Sequence, residues 1–377
     1  MKRIMTVFGT RPEAIKMAPL VQALKADSML DPIVVVTAQH REMLDTVLQQ
    51  FNIVPDYDLD IMKPNQSLSE ITASVVPQLE QVMQQEKPDM VLVHGDTMTT
   101  FTGSLTAMYN QVPIGHVEAG LRTWDKRAPF PEEMNRQMVG VMADLHFAPT
   151  DNAASNLERE GKSKKTIVVT GNTAIDAMQT TITRHYHSSI ISQYQQSKVI
   201  LLTAHRRENI GQPMSHIFKA VRRIVEDHED VVVVYPVHKN PKVQALAQQY
   251  LGEHERIHLI DPLDVVDFHN FANQAYLILT DSGGVQEEAP SLGKPVLVLR
   301  DVTERPEGVA AGTLKIVGTS EASVYDATQL LLNDEKIYRK MSSATNPYGD
   351  GFASRRICEN IKSVSYTHLR AHETRHD

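Results

Sequence analysis

The sequence has little of several features that define other classes of protein. It contains one cysteine, Cys358, in 377 residues, which excludes an internal disulfide and a cysteine-rich zinc site. No apolar run approaches the ~18–20 residues that a membrane helix needs, and the N-terminus shows no signal-peptide cleavage pattern. The net charge of −8 argues against a protein that coats nucleic acid, which would need a basic surface. We therefore expect a cytoplasmic, reduced enzyme of two domains that binds neither nucleic acid nor membrane.

What the sequence does contain is one repeated pattern, in which a short β-rich run ends in a polar or glycine-containing turn before a helical pattern begins. Strands that are apolar throughout and alternate with helices are typical of doubly wound parallel sheets. We predict an α/β fold with two Rossmann-like domains that face a cleft. The predicted strands are Ile4–Phe8, Pro32–Thr37, Asp89–Val93, Pro113–Val117, Lys198–Thr203, Asp230–Tyr235, Ile257–Ile260, Tyr276–Thr280 and Pro295–Leu299.

The domain boundaries follow from composition. We expect an N-terminal domain over 1–172 and a C-terminal domain over 173–352, with a polar, aperiodic linker before Lys198. A terminal helix over 353–364 is expected to pack back on the first domain. Residues 365–377 (SYTHLRAHETRHD) differ in character from the rest and are expected to be a solvated or foreign tail. The alternative for this tail is a metal-binding stack of His368, His372 and His376.

One helix prediction carries a conflict. Ser67 and Glu70 have the spacing of a capping box, and apolar residues follow at helical intervals from Leu68 to Val82. Pro77 lies inside that pattern and removes a backbone donor. We therefore expect this helix to be kinked or to start later than Ser67 indicates.

Most of the unusual polar residues follow predicted strands. Ligands of open parallel sheets bind outside the carboxyl ends of the strands, so this clustering predicts a ligand site in the cleft; solvated loop ends are the structural alternative. The residues concerned are Arg11, Gln39, His40, His94, Asp96, Glu118, His205, His238, Asp281, Ser282, Glu304 and Arg305.

Two turns indicate phosphate binding. Ser282-Gly283-Gly284 follows a strand and opens a helix, where N–H groups and the helix dipole favour an anion. The turn over 9–12 (GTRP) is expected to act in the same way, with Arg11 and Lys16 as cations. Neither turn has the dinucleotide fingerprint or the P-loop spacing. A tight turn without a ligand is the alternative for each.

Carboxylates suited to proton transfer lie in separate motifs. Asp96, Glu118 and the pair Glu132–Glu133 occur in HGDT, GHVEAGLRT and PFPEE. Carboxylates beside an anion site are not there to bind the anion, whereas they suit general acid–base chemistry on a neutral part of a substrate. Alternatively, Asp96 caps the helix that follows it, and the glutamates stabilise a helix start. Of the pair, we favour Glu132 as the functional residue.

The histidines do not predict a metal site. His205 and His238 each follow a buried strand, but no carboxylate–His or Cys–His spacing accompanies them. The arginines beside His205 favour phosphate contact, whereas His94 and His116 are expected to be structural. Phe268 or Phe271 could stack on a base of the size of uracil, with a place in the core as the alternative.

Taken together, these stretches resemble the non-hydrolysing UDP-N-acetylglucosamine 2-epimerase family. The matching stretches are FGTRPEAIKMAPL, TAQHREMLD, VLVHGDT, GHVEAGLRT, PFPEE, HRREN, YPVHKNP, LTDSGGVQEEAPSLGKPVLVLRD, TERPE and NPYGDG, which lie between residues 4 and 352. The resemblance implies a glycosyltransferase-B-like fold and the interconversion of UDP-N-acetylglucosamine (UDP-GlcNAc) and UDP-N-acetylmannosamine (UDP-ManNAc). It implies no cofactor and no metal, a homodimer, and a product that supplies cell-surface polysaccharide.

The resemblance also implies roles for particular residues. Asp96, Glu118 and Glu132 would be the acid–base carboxylates, and His205 would assist at the diphosphate. The UDP moiety would contact Arg11, Lys16, Phe268, Ser282, Gly283, Gly284, Glu288 and Arg305. A second UDP-GlcNAc, acting as an activator, would lie against Gln39, Arg206 and His238. The stretch 126–128 (KRA) departs from the family pattern, which leaves the contacts of that loop open.

Three other functions remain possible from the sequence. A hydrolysing epimerase would release ManNAc and UDP. A glycosyltransferase on the same fold would need an acceptor site. A nucleotide-sugar sensor would be expected to lack the carboxylates, all of which are present.

Overall fold

The computed structural model describes residues 1–38, 41–63, 65–194 and 196–363, without the side chains of residues 42 and 43. The chain forms two compact units. Of the described residues, the N-terminal unit contains those of Met1–Ala177 and those from 349 to 363, and the C-terminal unit contains those of Met178–Tyr348. Gln39 and the tail from residue 364 lie outside the described residues. Within the described part of the chain, no helix is both long and apolar enough to cross a membrane.

The N-terminal unit is built on a parallel sheet of seven strands in the order β3-β2-β1-β4-β5-β6-β7. Its strands are β1 (Lys2–Phe8), β2 (Leu30–Val36), β3 (Tyr57–Asp58), β4 (Met90–His94), β5 (Ile114–Val117), β6 (Leu145–Ala148) and β7 (Ile167–Val169). Its helices are α1 (Arg11–Ala26), α2 (Arg41–Gln50), α3 (Leu68–Glu86), α4 (Met98–Tyr109), α5 (Glu132–Met142), α6 (Asp151–Arg159) and α7 (Thr173–Thr181), the last of which contains the point where the chain leaves this unit.

The C-terminal unit has a parallel sheet of six strands in the order β10-β9-β8-β11-β12-β13. Its strands are β8 (Lys198–Thr203), β9 (Val231–Pro236), β10 (Ile257–Ile260), β11 (Leu277–Thr280), β12 (Val296–Val298) and β13 (Leu314–Ile316). Its helices are α8 (Ser189–Gln193), α9 (Gln212–Asp227), α10 (Pro241–Leu251), α11 (Val265–Gln274), α12 (Gly283–Glu288), α13 (Pro306–Ala311), α14 (Glu321–Asn333) and α15 (Glu335–Ser342). Helix α16 (Ala353–Ser363) returns to the N-terminal unit.

The continuous apolar strands are explained by burial on both faces. Along β8, Ile200 and Leu202 belong to the core on one side of the sheet, whereas Val199 and Leu201 belong to the core on the other. Successive side chains of a strand point to opposite faces, so a strand covered by helices on both sides has no polar face. The predicted α/β class with two parallel sheets is confirmed.

Helix α3 differs from its prediction. Ser67 is its N-cap, and the predicted capping box with Glu70 is present. The expectation of a later start is wrong, because the helix begins at Leu68 and continues through Pro77 to Glu86. Proline removes one hydrogen bond, but the buried face that includes Val75 and Leu79 holds the helix on both sides of it.

The terminal helix is held within the N-terminal unit by specific bonds. Helix α16 packs against α1. The carboxylate of Asp176 accepts hydrogen bonds from the N–H groups of Ala353 (3.2 Å) and Ser354 (2.7 Å) at the start of α16. The ammonium of Lys2 donates to the carbonyl of Ile361 (2.9 Å) near its end.

The segment expected to be a polar linker contains the short helix α8. Tyr186 in this segment donates a hydrogen bond to Asp267 (2.7 Å) within the C-terminal unit.

Candidate active site

Two of the predicted carboxylates lie together at the carboxyl ends of adjacent strands in the N-terminal unit. Asp96 follows β4 and Glu118 follows β5, and these strands pair in parallel. A Cβ atom built on Gly95, the residue before Asp96, would lie 3.6 Å from Glu118 Oε1. Glu118 has a φ of 61°, a conformation that is uncommon for residues other than glycine. The strand ends therefore place Glu118 close to the residue that precedes Asp96, at the same edge of the sheet.

Glu118 is surrounded by polar groups from three other segments. The ammonium of Lys16, on α1, forms an ion pair with Glu118 Oε2. Asn172 donates from Nδ2 to the same oxygen at 2.9 Å. His94 Nε2 lies 3.8 Å from it, and burial lowers the pKa of His94 to about 4. Lys16, which the sequence assigned to UDP, is thus also the cation beside an acid–base candidate.

Asp96 is held by helix α5. Arg136 Nη2 lies 2.6 Å from Asp96 Oδ2, and Asn135 Nδ2 donates to the Asp96 carbonyl at 2.8 Å. The alternative that Asp96 caps the next helix is wrong, because the N-cap of α4 is Thr97, whose side chain accepts from the N–H of Thr100. The carboxylate of Asp96 is therefore not needed for helix capping.

The two adjacent glutamates at the start of α5 have different surroundings. Glu133 is fully buried and accepts from Thr123 N (2.9 Å), Trp124 N (3.2 Å) and Gln137 Nε2 (2.9 Å). Burial alone would raise the pKa of Glu133, but these hydrogen bonds and the charge of Arg136 leave it below its usual value. Glu132 is half-buried. Glu133 is thus the member of the pair whose contacts stabilise the local structure at the start of α5.

The turn at the start of α1 departs from its prediction. The N–H groups of Gly9 and Thr10 donate to Glu13 Oε2 at 3.0 and 2.8 Å, so they are already used within the protein. These two N–H groups are therefore not available to an anion in the way that was expected of this turn. Glu13 is buried and also accepts from Thr97 Oγ1 at 2.6 Å. The side chain of Arg11 remains the predicted cation here, on the first residue of α1.

In the C-terminal unit, Arg305 lies over the glycine turn that follows β11. A Cβ atom built on Gly283 would lie 3.1 Å from Arg305 Cζ, whereas one on Gly284 would meet only Glu288 Oε1, at 3.8 Å. Arg305 Nε donates to the buried carboxylate of Glu287 at 2.8 Å. Ser282 is the N-cap residue of α12, which has six residues. The absence of a side chain at Gly283 is what gives the guanidinium room beside this turn.

Helix α11 carries both aromatic residues that were considered for stacking on a base, Phe268 and Phe271. Phe271 is buried in the core beside Tyr186, whereas Phe268 is half-buried. The next residue, His269, is buried; its Nε2 lies 3.6 Å from Glu288 Oε2, and its Nδ1 lies 2.7 Å from Thr181 Oγ1. Of the two candidate aromatic residues, Phe268 is thus the one that core packing leaves partly accessible.

His205 follows β8 and lies against His238, another residue that the sequence singled out. Its ring stacks on that of His238, with centroids 5.5 Å apart and an angle of 11° between the planes. Its Nδ1 is 3.6 Å from Asp281 Oδ1. Burial lowers the pKa of His205, against the charge of Asp281, which raises it. Arg206 comes next in the chain and donates from Nε to the Asp281 carbonyl at 3.3 Å.

Sequence reasoning missed the residues that hold these groups in place. Arg136, Asn172 and His269 were not singled out, and Asp281 was noted only among the polar strand ends. Their partners are far away in sequence, as with Asn172 and Glu118, which are separated by 54 residues. No local spacing signals such a pair. Among the described residues, no three His, Cys, Asp or Glu side chains are grouped to hold a metal ion.

Comparison with known proteins identifies what the chain is similar to. A family model described as UDP-N-acetylglucosamine 2-epimerase matches residues 22–362. A Bacillus subtilis protein named UDP-N-acetylglucosamine 2-epimerase is 62% identical over 359 residues, which cover 95% of this chain and 94% of that protein.

Two solved structures are also similar over nearly their whole length. The co-structure of Staphylococcus aureus MnaA with UDP has a TM-score of 0.88 and 65% identity, with 98% of each chain covered. The UDP-GlcNAc 2-epimerase of Neisseria meningitidis, bound to UDP-GlcNAc, has a TM-score of 0.85 and 47% identity, with 96% of this chain and 100% of that chain covered. These similarities agree with the glycosyltransferase-B-like fold that was expected.

Proposed function

The chain belongs to the UDP-N-acetylglucosamine 2-epimerase family, and we propose that it interconverts UDP-GlcNAc and UDP-ManNAc by inverting the configuration at C2 of the sugar. Two relatives support the choice of ligand: the Neisseria meningitidis epimerase is bound to UDP-GlcNAc and the Staphylococcus aureus protein to UDP. The single observation in this chain that supports the chemistry most is the cluster of Asp96 and Glu118, each beside a cation.

The reaction proposed is elimination followed by re-addition. The C2 proton of the sugar is not next to a carbonyl, so its removal alone would give an unstabilised carbanion. When a carboxylate takes that proton, the C–H electrons form the C1–C2 double bond of 2-acetamidoglucal, and the C1–O bond breaks to release UDP. Return of UDP to C1 and of a proton to the opposite face of C2 gives the epimer.

Departure of UDP requires cations at the diphosphate. We assign this role to Arg11, Arg305 and His205, because positive groups held where negative charge develops lower the barrier. The rest of the UDP moiety is assigned to Lys16, Phe268 and the turn residues named above, together with Glu288. Phe268 is the proposed contact of the uracil ring because it is half-buried, unlike Phe271. Lys16 is beside Glu118 as well, so we propose that it serves both the nucleotide and the base.

Two opposite faces of C2 require two proton-transfer groups. We propose that they come from Asp96, Glu118 and Glu132. The hydrogen bonds of Glu133 with the backbone support the choice of Glu132 over its neighbour. The partners of Asp96 and Glu118 differ, Arg136 for the first and Lys16 with Asn172 for the second, which suits two carboxylates with different tasks.

The finer expectations are part of the same proposal. A second UDP-GlcNAc is proposed to bind at Gln39, Arg206 and His238 as an activator. The protein is proposed to be a cytoplasmic homodimer that supplies ManNAc units for cell-surface polysaccharide. A sigmoidal dependence of rate on UDP-GlcNAc concentration that becomes hyperbolic in His238→Ala would support the activator; an unchanged curve in that variant would contradict it.

The deciding experiment is a proton NMR time course of the protein with UDP-GlcNAc in D₂O, without added cofactor. We expect UDP-ManNAc to accumulate with deuterium at C2. Asp96→Asn and Glu118→Gln should slow the exchange at least ~100-fold, whereas Asp326→Asn, an exposed carboxylate on α14, should not. Free ManNAc and UDP would indicate a hydrolysing enzyme instead. UDP release only with an added acceptor would indicate a transferase, and no change in any condition would contradict the proposal.

A further inference from the structure

Asp281 is a fully buried carboxylate that organises the loop after β8. It lies between β11 and the Ser282 turn, and none of its surface is exposed. Its Oδ2 accepts from the N–H groups of His205 (2.9 Å) and Arg206 (2.9 Å) and from Asn209 Nδ2 (3.0 Å). Three donors on one oxygen account for the position of the loop backbone. They do not account for the other oxygen.

The second oxygen of Asp281 faces an imidazole. Asp281 Oδ1 has no hydrogen-bond partner among the described residues, and His205 Nδ1 lies 3.6 Å from it. Leaving a buried carboxylate oxygen without a donor is costly. A rotation of the ring that brings the nitrogen closer by about 0.5 Å would complete an N–H···O bond of ordinary length. The exposed part of the ring is the part that a ligand can reach, since 40% of the His205 side chain is accessible.

We propose that Asp281 is a positioning residue for His205, which accepts the Nδ1–H, directs Nε2 towards an anionic ligand and stabilises the imidazolium when that anion binds. The identity of the anion as a nucleotide diphosphate rests on the proposed function; the pairing of Asp281 with His205 does not. An imidazole whose Nδ1–H is held by a carboxylate has its tautomer and its orientation fixed. His205 would then meet the ligand without first having to reorient.

The groups around His205 show why Asp281 matters for its charged form. The largest influence is burial, which lowers the pKa of His205, and the neighbouring His238 and Arg206 lower it further. Asp281 and Glu208 act in the opposite direction. Asp281 is the buried member of that pair, because 53% of the Glu208 side chain is exposed and its charge is therefore screened by solvent. Removing Asp281 would therefore take away the largest influence that favours the charged form of His205.

The test measures the ionisation and tautomer of His205 by NMR of protein labelled at histidine. Asp281→Asn keeps one oxygen for the loop N–H groups and removes the charge. We expect the pKa of His205 to fall by about one unit or more, and its neutral form to change from the Nδ1–H to the Nε2–H tautomer. Asn209→Ala is the matched control, because it removes one hydrogen bond to Asp281 and leaves the carboxylate. There the pKa should stay within about 0.3 unit of the wild-type value.

A second measurement follows UDP binding by calorimetry as a function of pH. In Asp281→Asn, the pH above which affinity is lost should move down by the same amount as the pKa of His205. In a His205→Gln background, Asp281→Asn should cause no further loss, since the effect acts through the imidazole.

The outcomes separate this inference from the proposed function. An unchanged pKa of His205 in Asp281→Asn overturns it. If that variant does not fold, the tautomer of the wild-type protein decides: Nδ1–H supports the pairing, and Nε2–H overturns it. If the NMR results are as expected and UDP does not bind at all, the proposed function fails while the pairing of Asp281 with His205 stands.

Discussion

The ammonium of Lys16 forms an ion pair with the carboxylate of Glu118, across 102 residues of sequence. Lys16 lies on the second turn of α1, and Glu118 follows β5 with a φ of 61°. A non-glycine residue held in this conformation is often part of a functional site. The pair therefore joins two features that the sequence assigned to different tasks, nucleotide binding and proton transfer.

The first prediction concerns this ion pair. Lys16→Met should lower kcat for epimerisation by ~100-fold or more, because Glu118 loses the cation that orients it. UDP affinity should fall by a smaller factor, about tenfold, the loss of one charged contact. Lys25→Met is the control, since Lys25 is exposed on the last turn of the same helix. This variant should have the kcat and the UDP affinity of the wild type. If Lys16→Met weakened UDP binding and left kcat unchanged, Lys16 would serve the nucleotide alone.

The second prediction uses the neighbouring glutamates of α5. Glu132→Gln should abolish most activity, because we propose Glu132 as a proton-transfer group. It should leave the free energy of unfolding unchanged, because Glu132 is only half-buried. Glu133→Gln should lower the free energy of unfolding by about 1–3 kcal/mol, since an amide cannot accept from Thr123, Trp124 and Gln137 as the buried carboxylate does. Urea titrations and the rate of deuterium exchange at C2 measure the two effects. The reverse pattern would exchange the roles of these residues.

Much of the fold was predictable because buried parallel strands have a simple signature. The run at 231–235, for example, is apolar on both faces, and the structure forms β9 there. Strands β3, β6, β7 and β13 were not predicted. They have two to four residues. Strand β12 is equally short but lies in the longer apolar run at 295–299, and the four missed strands have no run of that length to be recognised. Helix α3 was expected to be kinked or to start late, and the late start was wrong because the penalty for Pro77 was not weighed against the packing of the whole face.

The candidate site was predictable to the level of strand ends and not beyond. Asp96 and Glu118 could be placed near each other because carboxyl ends of neighbouring parallel strands meet at one edge. That Arg136 faces the first and Lys16 the second depends on the side-chain conformations of α5 and α1. The bond from the Thr10 N–H to Glu13 belongs to a capping box, so the spacing of these two residues could have predicted it as it did for Ser67 and Glu70.

The third prediction concerns the room beside Arg305. In Gly283→Ala the new Cβ would lie 3.1–3.3 Å from the guanidinium atoms, so the arginine must move by a few tenths of an ångström. We expect UDP affinity to fall about tenfold, in line with the cost of slight overpacking. Gly284→Ala meets no atom closer than 3.8 Å and should have a smaller effect. Calorimetric titration with UDP compares the two, and equal affinities in both variants would contradict the proposed contact of Arg305.

The fourth prediction concerns two buried histidines on adjacent strands. His116 on β5 and His146 on β6 are partners in the register of the sheet, and both are almost completely buried. Burial lowers the pKa of His116 to about 3 and that of His146 to about 4. Each also has a buried Nδ1 without a partner among the described residues. The charge of Glu160 favours the charged form of His146, but burial outweighs it.

These lowered pKa values fix the sign of the pH dependence. Above the unfolded value of about 6.5, both rings are neutral in either state and contribute no dependence on pH. As the pH falls below 6.5, the unfolded chain binds protons that the folded protein excludes, so the free energy of unfolding decreases. At pH 5 the loss is at most about 2 kcal/mol for each histidine. Below about pH 4 the folded state begins to bind protons as well, and the dependence levels off.

Urea unfolding of the wild-type protein at pH 7.5 and pH 5.0 measures this loss. His146→Gln should reduce the difference between the two pH values by about 2 kcal/mol, whatever its effect on stability at pH 7.5. His187→Gln replaces an exposed histidine and should leave the difference as it is in the wild type. If His146→Gln retained the full wild-type difference, the acid sensitivity would have to come from other groups, and His146 would be protonated in the folded protein at pH 5.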